Sequence, residues 1–492
     1  MEKKYISTRG KQEPIDFYQA ILQGIGQDGG LIVPDFELPV LDLNELKDLS
    51  YVDLATEIFS NFMPSDKEDI KELCKKAYDS GLFIDGVVPV IKAGDVYIAE
   101  LFQGPTAAFK DMALSMLPHF MTYSLKQKGE ERKVMILAAT SGDTGKAALE
   151  GFKNVDGTCI KVFYPIDGVS PIQKQQMITQ EGHNVDVIGI RGNFDDAQTA
   201  VKKAFASKEL KELCDDHHVF LSSANSINIG RLIPQIVYYF YAYFALVKQG
   251  VVELGKEVNF TIPSGNFGNC LAGYIGKLMG LPIKTFIIAS NKNNILTDFF
   301  NTGEYNANRE FYKTNAPAMD ILVSSNLERL LYFVSGCNLY VDDCMKQLNK
   351  KGVYKVHDEL LAHIQKEFNA GYLNEEEVLE TVETCYKENG YLLDTHTAIG
   401  YGVYNRYKEK THDETVNIVL ATASPYKFPK SVYSAITKED LEEYDCIDAL
   451  YEHTKVDIPY PLKGIKDKEV LHNGVIDKDC IIEYISDAIK GE

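Results

Sequence analysis

Two spacings of hydrophobic residues alternate along this chain. Short unbroken apolar runs, "KVMILAAT", "IKVFYP", "NVDVIGI", "HVFLSS", "VNFTIPS", "IKTFIIAS" and "VNIVLATAS", each end in turn residues and give way to segments with apolar positions at helical spacing. An unbroken run rich in β-branched residues reads as a strand covered on both faces, and a helix between successive strands lets them lie parallel. From about residue 95 onward the pattern predicts an α/β protein with largely parallel sheet. The first ninety residues differ, with acidic helical stretches such as "DKEDIKELCKKAYDSG" and few strand-like runs. Residues 1–92 are therefore read as an N-terminal cap, 93–230 as a smaller α/β domain with Lys110 near its border, and 231–492 as a larger domain with a mixed, acidic tail. The charges of that tail, "TKEDLEEYDCIDALYEHT", mark a solvated helix face.

The apolar run "LIPQIVYYFYAYFALV" contains Pro234 and Gln235 and is too short to span a bilayer, so it is a buried helix. One further stretch breaks the pattern. In "GPTAAFKDMALSML", Pro105 and Thr106 suit a helix start, and Ala113, Met116, Leu117 and Phe120 recur at helical spacing. A first helical turn exposes unpaired N–H groups, so Asp111 belongs there and Lys110 does not.

Composition narrows the partners. The formal net charge of -20 opposes nucleic acid and anionic membrane, which are bound through Lys and Arg. An anionic small ligand must then be held by backbone N–H groups and a few placed cations. Nine cysteines without a C-x-x-C pair indicate neither a disulfide framework nor a zinc site. With no apolar signal segment in "MEKKYISTRGKQ", a cytoplasmic location is expected; self-association is left open.

Four glycine-rich segments are anion candidates, and context separates them. "GIGQDG" (24–29) matches the dinucleotide pattern by letter but follows a helical segment and precedes a strand-like one, the reverse of the required order. "GVVELGKE" (250–257) has Glu257 where a magnesium-binding hydroxyl is required. "VNFTIPSGNFGNCLAGYIGKLMG", by contrast, runs strand, glycine loop, helix, an arrangement that either cradles an anion on backbone N–H groups or makes a tight turn. "KVMILAATSGDTGKAALEGF" repeats it, which suggests two anionic groups on one bound assembly. No histidine pair has metal-ligand spacing: His217 and His218 are adjacent, and His357 and His363 lie six apart. No metal is expected, and His396 is read as structural.

"GPTAAFKD", "ATSGDTGKAALEGF", "SSANSINIGRLIPQIVYY", "PSGNFGN", "DTHTAIG" and "TASPYKFP", with the opening "YISTRG", occur in the order and wording that resemble threonine synthase in its longer form with an N-terminal extension. The resemblance implies a pyridoxal 5'-phosphate enzyme of the tryptophan-synthase-β type (fold type II), with the cofactor in the cleft between two α/β domains. It implies conversion of O-phospho-L-homoserine and water to L-threonine and phosphate. Lys110 would form the Schiff base, and apolar surroundings at a helix start favour the neutral amine this needs.

The resemblance further implies that Gly265, Asn266, Phe267, Gly268 and Asn269 hold the cofactor phosphate and that Thr422 faces the pyridine nitrogen. Ser141, Gly142, Thr144 and Gly145 match the loop against the substrate carboxylate, with Asp143 beside the cofactor's hydroxyl. Asn225, Ser226, Asn228 and Arg231, with Lys146 as a weaker candidate, would hold the substrate phosphate. Arg231 has an interdomain salt bridge as its alternative role. The chain departs from the family at Ser424, where a histidine is usual, and at Tyr426, where a small residue is usual. These two positions keep open a phospholyase that releases a 2-keto acid.

Overall fold

The structure, a computed structural model, describes residues 3–491. The N-terminal segment carries an antiparallel pair, β1 (Tyr5–Ser7) and β2 (Ile32–Pro34), and is followed by a hairpin, β3 (Val90–Ala93) and β4 (Val96–Glu100). Next come β5 (Lys133–Ala139), β6 (Thr158–Pro165), β7 (Val185–Arg191) and β8 (Val219–Ser223). Then follow β9 (Val258–Pro263), β10 (Ile283–Ser290), a short pair β11 (Glu304–Asn306) and β12 (Val353–Lys355), β13 (Phe368–Tyr372), β14 (Asn417–Ala421) and β15 (Val475–Asp477). Each of the seven apolar runs forms a strand. β5 is buried from Val134 to Ala139 and β9 along its whole length, as expected for strands covered on both faces.

Two sheets result. The larger has the order β13-β10-β9-β14-β4-β3 and is parallel except for its β3–β4 hairpin; the smaller, β15-β7-β6-β5-β8, is parallel throughout. Their strands cross the domain borders read from the sequence. β4 lies in the larger sheet, with Ile98 opposite Val419, although the sequence pattern places only residues after 231 there. β15, from the tail, extends the smaller sheet, with Ile476 opposite Ile190. Three-residue β15 is too short and too exposed to show a strand pattern.

The N-terminal cap does not stand apart either. Phe17 and Phe59 each meet Phe120 edge-on, with ring centroids 5.5 and 5.3 Å apart, and all three belong to one apolar core with Tyr239 and Phe260. The helix Pro234–Lys248 runs through this core. Among the described residues no helix is long and apolar enough to cross a membrane. "GIGQDG" lies between the helix Phe17–Gln23 and β2, the order that rules out a nucleotide loop.

The helix expected to open at Pro105 opens later. Its first turn is Asp111–Leu114, with Lys110 at the position before it, and a second helix spans Leu117–Lys128. The residues ahead form a turn in which Ala107 takes φ 59°. Asp111 closes that turn by accepting hydrogen bonds from Thr106 N at 2.8 Å and Thr106 Oγ1 at 2.5 Å. The carboxylate that suits a helix start is spent on the preceding turn, which delays the helix from Pro105 to Asp111.

Candidate active site

The loops that leave the C-terminal ends of β5, β9 and β14 face one cleft between the two sheets, where ligand sites of parallel sheets form. Its wall includes Lys110, Ser141, Thr144, Asn225, Ser226, Arg231, the loop Ser264–Asn269, His396 and Thr422.

Lys110 is set there by the segment after β14. Phe109 N donates to the Thr422 carbonyl at 2.9 Å and Ser424 N to the Ala107 carbonyl at 3.1 Å, with Ala108 and Ala423 paired between them. The lysine side chain is 13% exposed. Burial lowers its amine below the ordinary lysine range; Asp143 opposes this, whereas Arg231 and Lys427 add to it. Lys110 is thus disposed to lose its proton.

After β9, the chain turns through Ser264, Gly265, Asn266 and Phe267 into the helix Gly268–Leu278. Phe267 takes φ 62°, unusual for a residue with a side chain, and its ring is locked against Phe300 and Phe368. A loop of this kind at a helix N-terminus, lining the cleft, has the form in which backbone N–H groups can cradle an anion. Gly265 is required because a Cβ there would lie 2.8 Å from the Ala318 carbonyl oxygen. Asn326 holds the loop from behind, its backbone and side-chain N–H groups both donating to the Asn266 carbonyl at 3.0 and 3.1 Å.

After β5, Thr140 Oγ1 accepts from Gly142 N at 2.9 Å and from Gly145 N at 2.8 Å, shaping the turn into the helix Asp143–Phe152. Ser141 and Thr144 face the cleft, whereas Gly142 and Asp143 lie behind it. Asp143 is buried, with Oδ2 3.6 Å from Lys110 Nζ and Oδ1 3.0 Å from Lys427 Nζ. Burial alone would raise this carboxyl, but Lys427 and then Lys110 outweigh it, and it lies well below the usual range.

The segment after β8 divides. Asn225, Ser226 and Arg231 reach the cleft. Asn228 does not: its amide donates to the Ile21 and Ser223 carbonyls and its oxygen caps the helix start at Gly230, so its groups are engaged in the scaffold. Lys146 is turned to Glu150 at 2.9 Å and to Gln180, away from the wall of the cleft. Arg231 donates to the Ala224 carbonyl at 2.6 Å, is paired with no carboxylate among the described residues, and burial brings it down to about 10.

His396, structural by its sequence, takes both parts. Its Nδ1 meets Asp394 at 3.0 Å, its Nε2 accepts from Ala318 N at 3.2 Å, and its ring also lines the cleft. Sequence reasoning gives no role to Lys427, Gln173 or Gln235. The signal at Lys427 is the same as at Lys110, a lysine among apolar neighbours in "PYKFP".

The donors present fit pyridoxal phosphate. Ser264 Oγ, Asn269 Nδ2, Thr422 Oγ1 and Arg231 Nε are buried without a hydrogen-bond partner among the described residues, which is costly unless a ligand completes them. The first two belong to the loop after β9, a place for a phosphate; Thr422 carries a neutral hydroxyl and Lys110 an amine, the groups that a ring nitrogen and an aldehyde would need.

Residues 4–78 match the family described as threonine synthase N terminus, 88–422 that described as pyridoxal-phosphate dependent enzyme, and 397–470 that described as threonine synthase, C-terminal. Among curated proteins, threonine synthase of Saccharomyces cerevisiae is 36% identical over 467 residues, covering 88% of this chain and 89% of its own. Threonine synthase-like 1 of Homo sapiens is 37% identical over 442 residues, which is 87% of this chain; the matched part spans 59% of that longer relative. Among solved structures, the PLP-bound threonine synthase from Brucella melitensis superposes with a TM-score of 0.87 at 36% identity, covering 100% of this chain and 99% of its own.

Proposed function

The chain belongs to the threonine synthase family of pyridoxal-phosphate-dependent enzymes, and from that premise we propose that it converts O-phospho-L-homoserine and water to L-threonine and phosphate. The observation that carries the reading is one cleft holding a buried amine, an unpaired facing hydroxyl and two separate sets of anion donors. Bound pyridoxal phosphate supplies an aldehyde for the substrate amine and a conjugated ring that accepts the electron pair left when a C–H proton departs.

The chain's own residues supply the rest. The backbone N–H groups of 265–269, with Ser264 and Asn269, would hold the cofactor phosphate. Thr422 would meet the ring nitrogen without protonating it, because its hydroxyl is neutral. Lys110 Nζ takes the α and β protons of the substrate, a task its lowered affinity for a proton suits. Ser141 and Thr144 would orient the substrate carboxylate at the start of the helix Asp143–Phe152. Asn225, Ser226 and Arg231 would hold the substrate phosphate, which leaves from Cγ before water adds at Cβ. A guanidinium without a carboxylate partner is suited to that dianion.

Neither family departure forms part of the cleft wall. Ser424 caps the turn Pro425–Lys427 through Tyr426 N, and the Tyr426 hydroxyl donates to the Val456 carbonyl at 2.5 Å, away from the cleft. The test is to incubate the protein with pyridoxal phosphate and O-phosphohomoserine and to identify the product. Threonine with one equivalent of phosphate supports the reading, whereas phosphate with 2-oxobutyrate overturns it in favour of a phospholyase.

A further inference from the structure

The proposed function gives no role to Lys427, whose side chain is fully buried. A buried ammonium is unfavourable unless its three protons find acceptors. They do: Asp143 Oδ1 at 3.0 Å, the Thr106 carbonyl at 3.2 Å, and Gln176 Oε1. Lys110 has the longer contact with the same carboxylate, 3.6 Å to Oδ2, beyond hydrogen-bond length. Gln173 Nε2 donates to Asp143 Oδ1 at 2.9 Å and further anchors the oxygen on the Lys427 side.

One carboxylate therefore stands between two amines and is held by the one that does no chemistry. The other charged groups reinforce this balance. Arg231 faces Lys110 and Lys146 faces Lys427, both cations. Asp111, the remaining acid, has both oxygens taken by Thr106. Without the Lys427 charge, Asp143 would have a single amine to neutralise. At low dielectric such a pair holds its lysine as ammonium.

Resting on the proposed function, we propose that Lys427 is a positioning residue: by holding Asp143 at Oδ1 it keeps that carboxylate from closing onto Lys110, and so keeps the Lys110 amine free to give up and take protons. Lys427 acts through Asp143 and touches neither substrate nor cofactor.

The test titrates Lys110 directly. Competitive acetylation of the full chain across pH, read at Lys110 by mass spectrometry, gives the midpoint of its amine without turnover. Lys427→Gln keeps donors for Thr106 and Asp143 but no charge, and Lys427→Met removes both. In either variant the midpoint rises by about one pH unit, a tenfold loss of free amine at a given pH. In Lys427→Gln/Asp143→Asn it returns to or below the wild-type value. A role confined to packing would leave the midpoint in both single Lys427 variants at the wild-type value, and that result would overturn the inference. Should neither Lys427 variant fold, Gln173→Leu decides, because it loosens the hold on Asp143 Oδ1: a raised midpoint supports the inference and an unchanged one overturns it. The underlying function is checked separately, by whether borohydride fixes pyridoxal phosphate to Lys110 in the wild type. Fixation with an unshifted midpoint defeats only the role of Lys427.

Discussion

The backbone N–H of Phe109 donates to the carbonyl of Thr422 at 2.9 Å. This single bond joins the residue before the buried amine to the residue that carries the unpaired hydroxyl, although they are far apart in sequence. The spacing between amine and hydroxyl is therefore set by backbone, and side-chain changes at either place leave it in position. Substitutions at the two sites can then be read as chemistry.

Lys110→Ala removes the amine and leaves the cradle 264–269 in place. Turnover falls to background, melting temperature is unchanged within a few degrees, and borohydride no longer fixes pyridoxal phosphate to the protein. A yellow, active Lys110→Ala enzyme would sink the assignment.

Thr422→Val replaces the orphaned hydroxyl by a methyl group of the same shape. An unpaired buried hydroxyl contributes nothing to the fold, so stability of the cofactor-free protein holds or rises slightly, while kcat drops about tenfold, the equivalent of one ordinary hydrogen bond. Thermal melts beside steady-state rates check both halves. A parallel fall in stability and rate would mean that Thr422 serves the scaffold.

Gly142→Ala strains the loop after β5. Gly142 takes φ 132°, and a Cβ there would lie 2.4 to 2.6 Å from the Gln173 carboxamide. A cost of about 1–3 kcal/mol is expected from the backbone alone, with Gln173 displaced from Asp143 as well. Because both changes act on the same contact, Gly142→Ala and Gln173→Ala combined should destabilise by less than the sum of their separate effects in denaturant titrations.

Asp111 gives a pH dependence opposite to that of most carboxylates. Burial raises its carboxyl to about 6 from an ordinary 3.8, against the pull of its Thr106 hydrogen bonds. Its folded form binds a proton more tightly than its unfolded form, so stability from this group is full below about pH 4 and lost as pH rises through about 6. Plotted against pH, the stability of wild type relative to Asp111→Asn should decline across that window and be flat above it. A difference that grows with pH there would contradict the raised carboxyl.

Legibility followed burial. β5 to β10 and β14 are readable because strands covered on both faces must be apolar throughout, and that leaves an unbroken run. β15 has exposed ends and three residues, so nothing in its letters demands a sheet. In the cleft, Lys110 is legible because the motifs that accompany it turn a lysine among apolar neighbours from a curiosity into a candidate, and the loop 265–269 because strand, glycine and helix follow in the order that exposes N–H groups. Asn228 misleads because an amide that caps a helix and one that grips a phosphate look alike in sequence; only its filled hydrogen bonds distinguish them. Lys427 is visible as an anomaly, but its partners come from Thr106, Asp143 and Gln176, which only the fold assembles.

The pairing of β4 with β14 also fixes an order of events at the ribosome. Ile98 emerges early and waits for Val419, and at ordinary elongation rates roughly 300 intervening residues take roughly 15 to 60 s to be made. Until then the β4 edge and the turn carrying Lys110 lack their partner, and the smaller sheet lacks β15 for longer still. A nascent chain of this topology exposes unpaired strand edges until β14 and β15 have been made, which is when a chaperone would matter. Lys110 is made long before Thr422–Ser424, the segment whose backbone sets it in place.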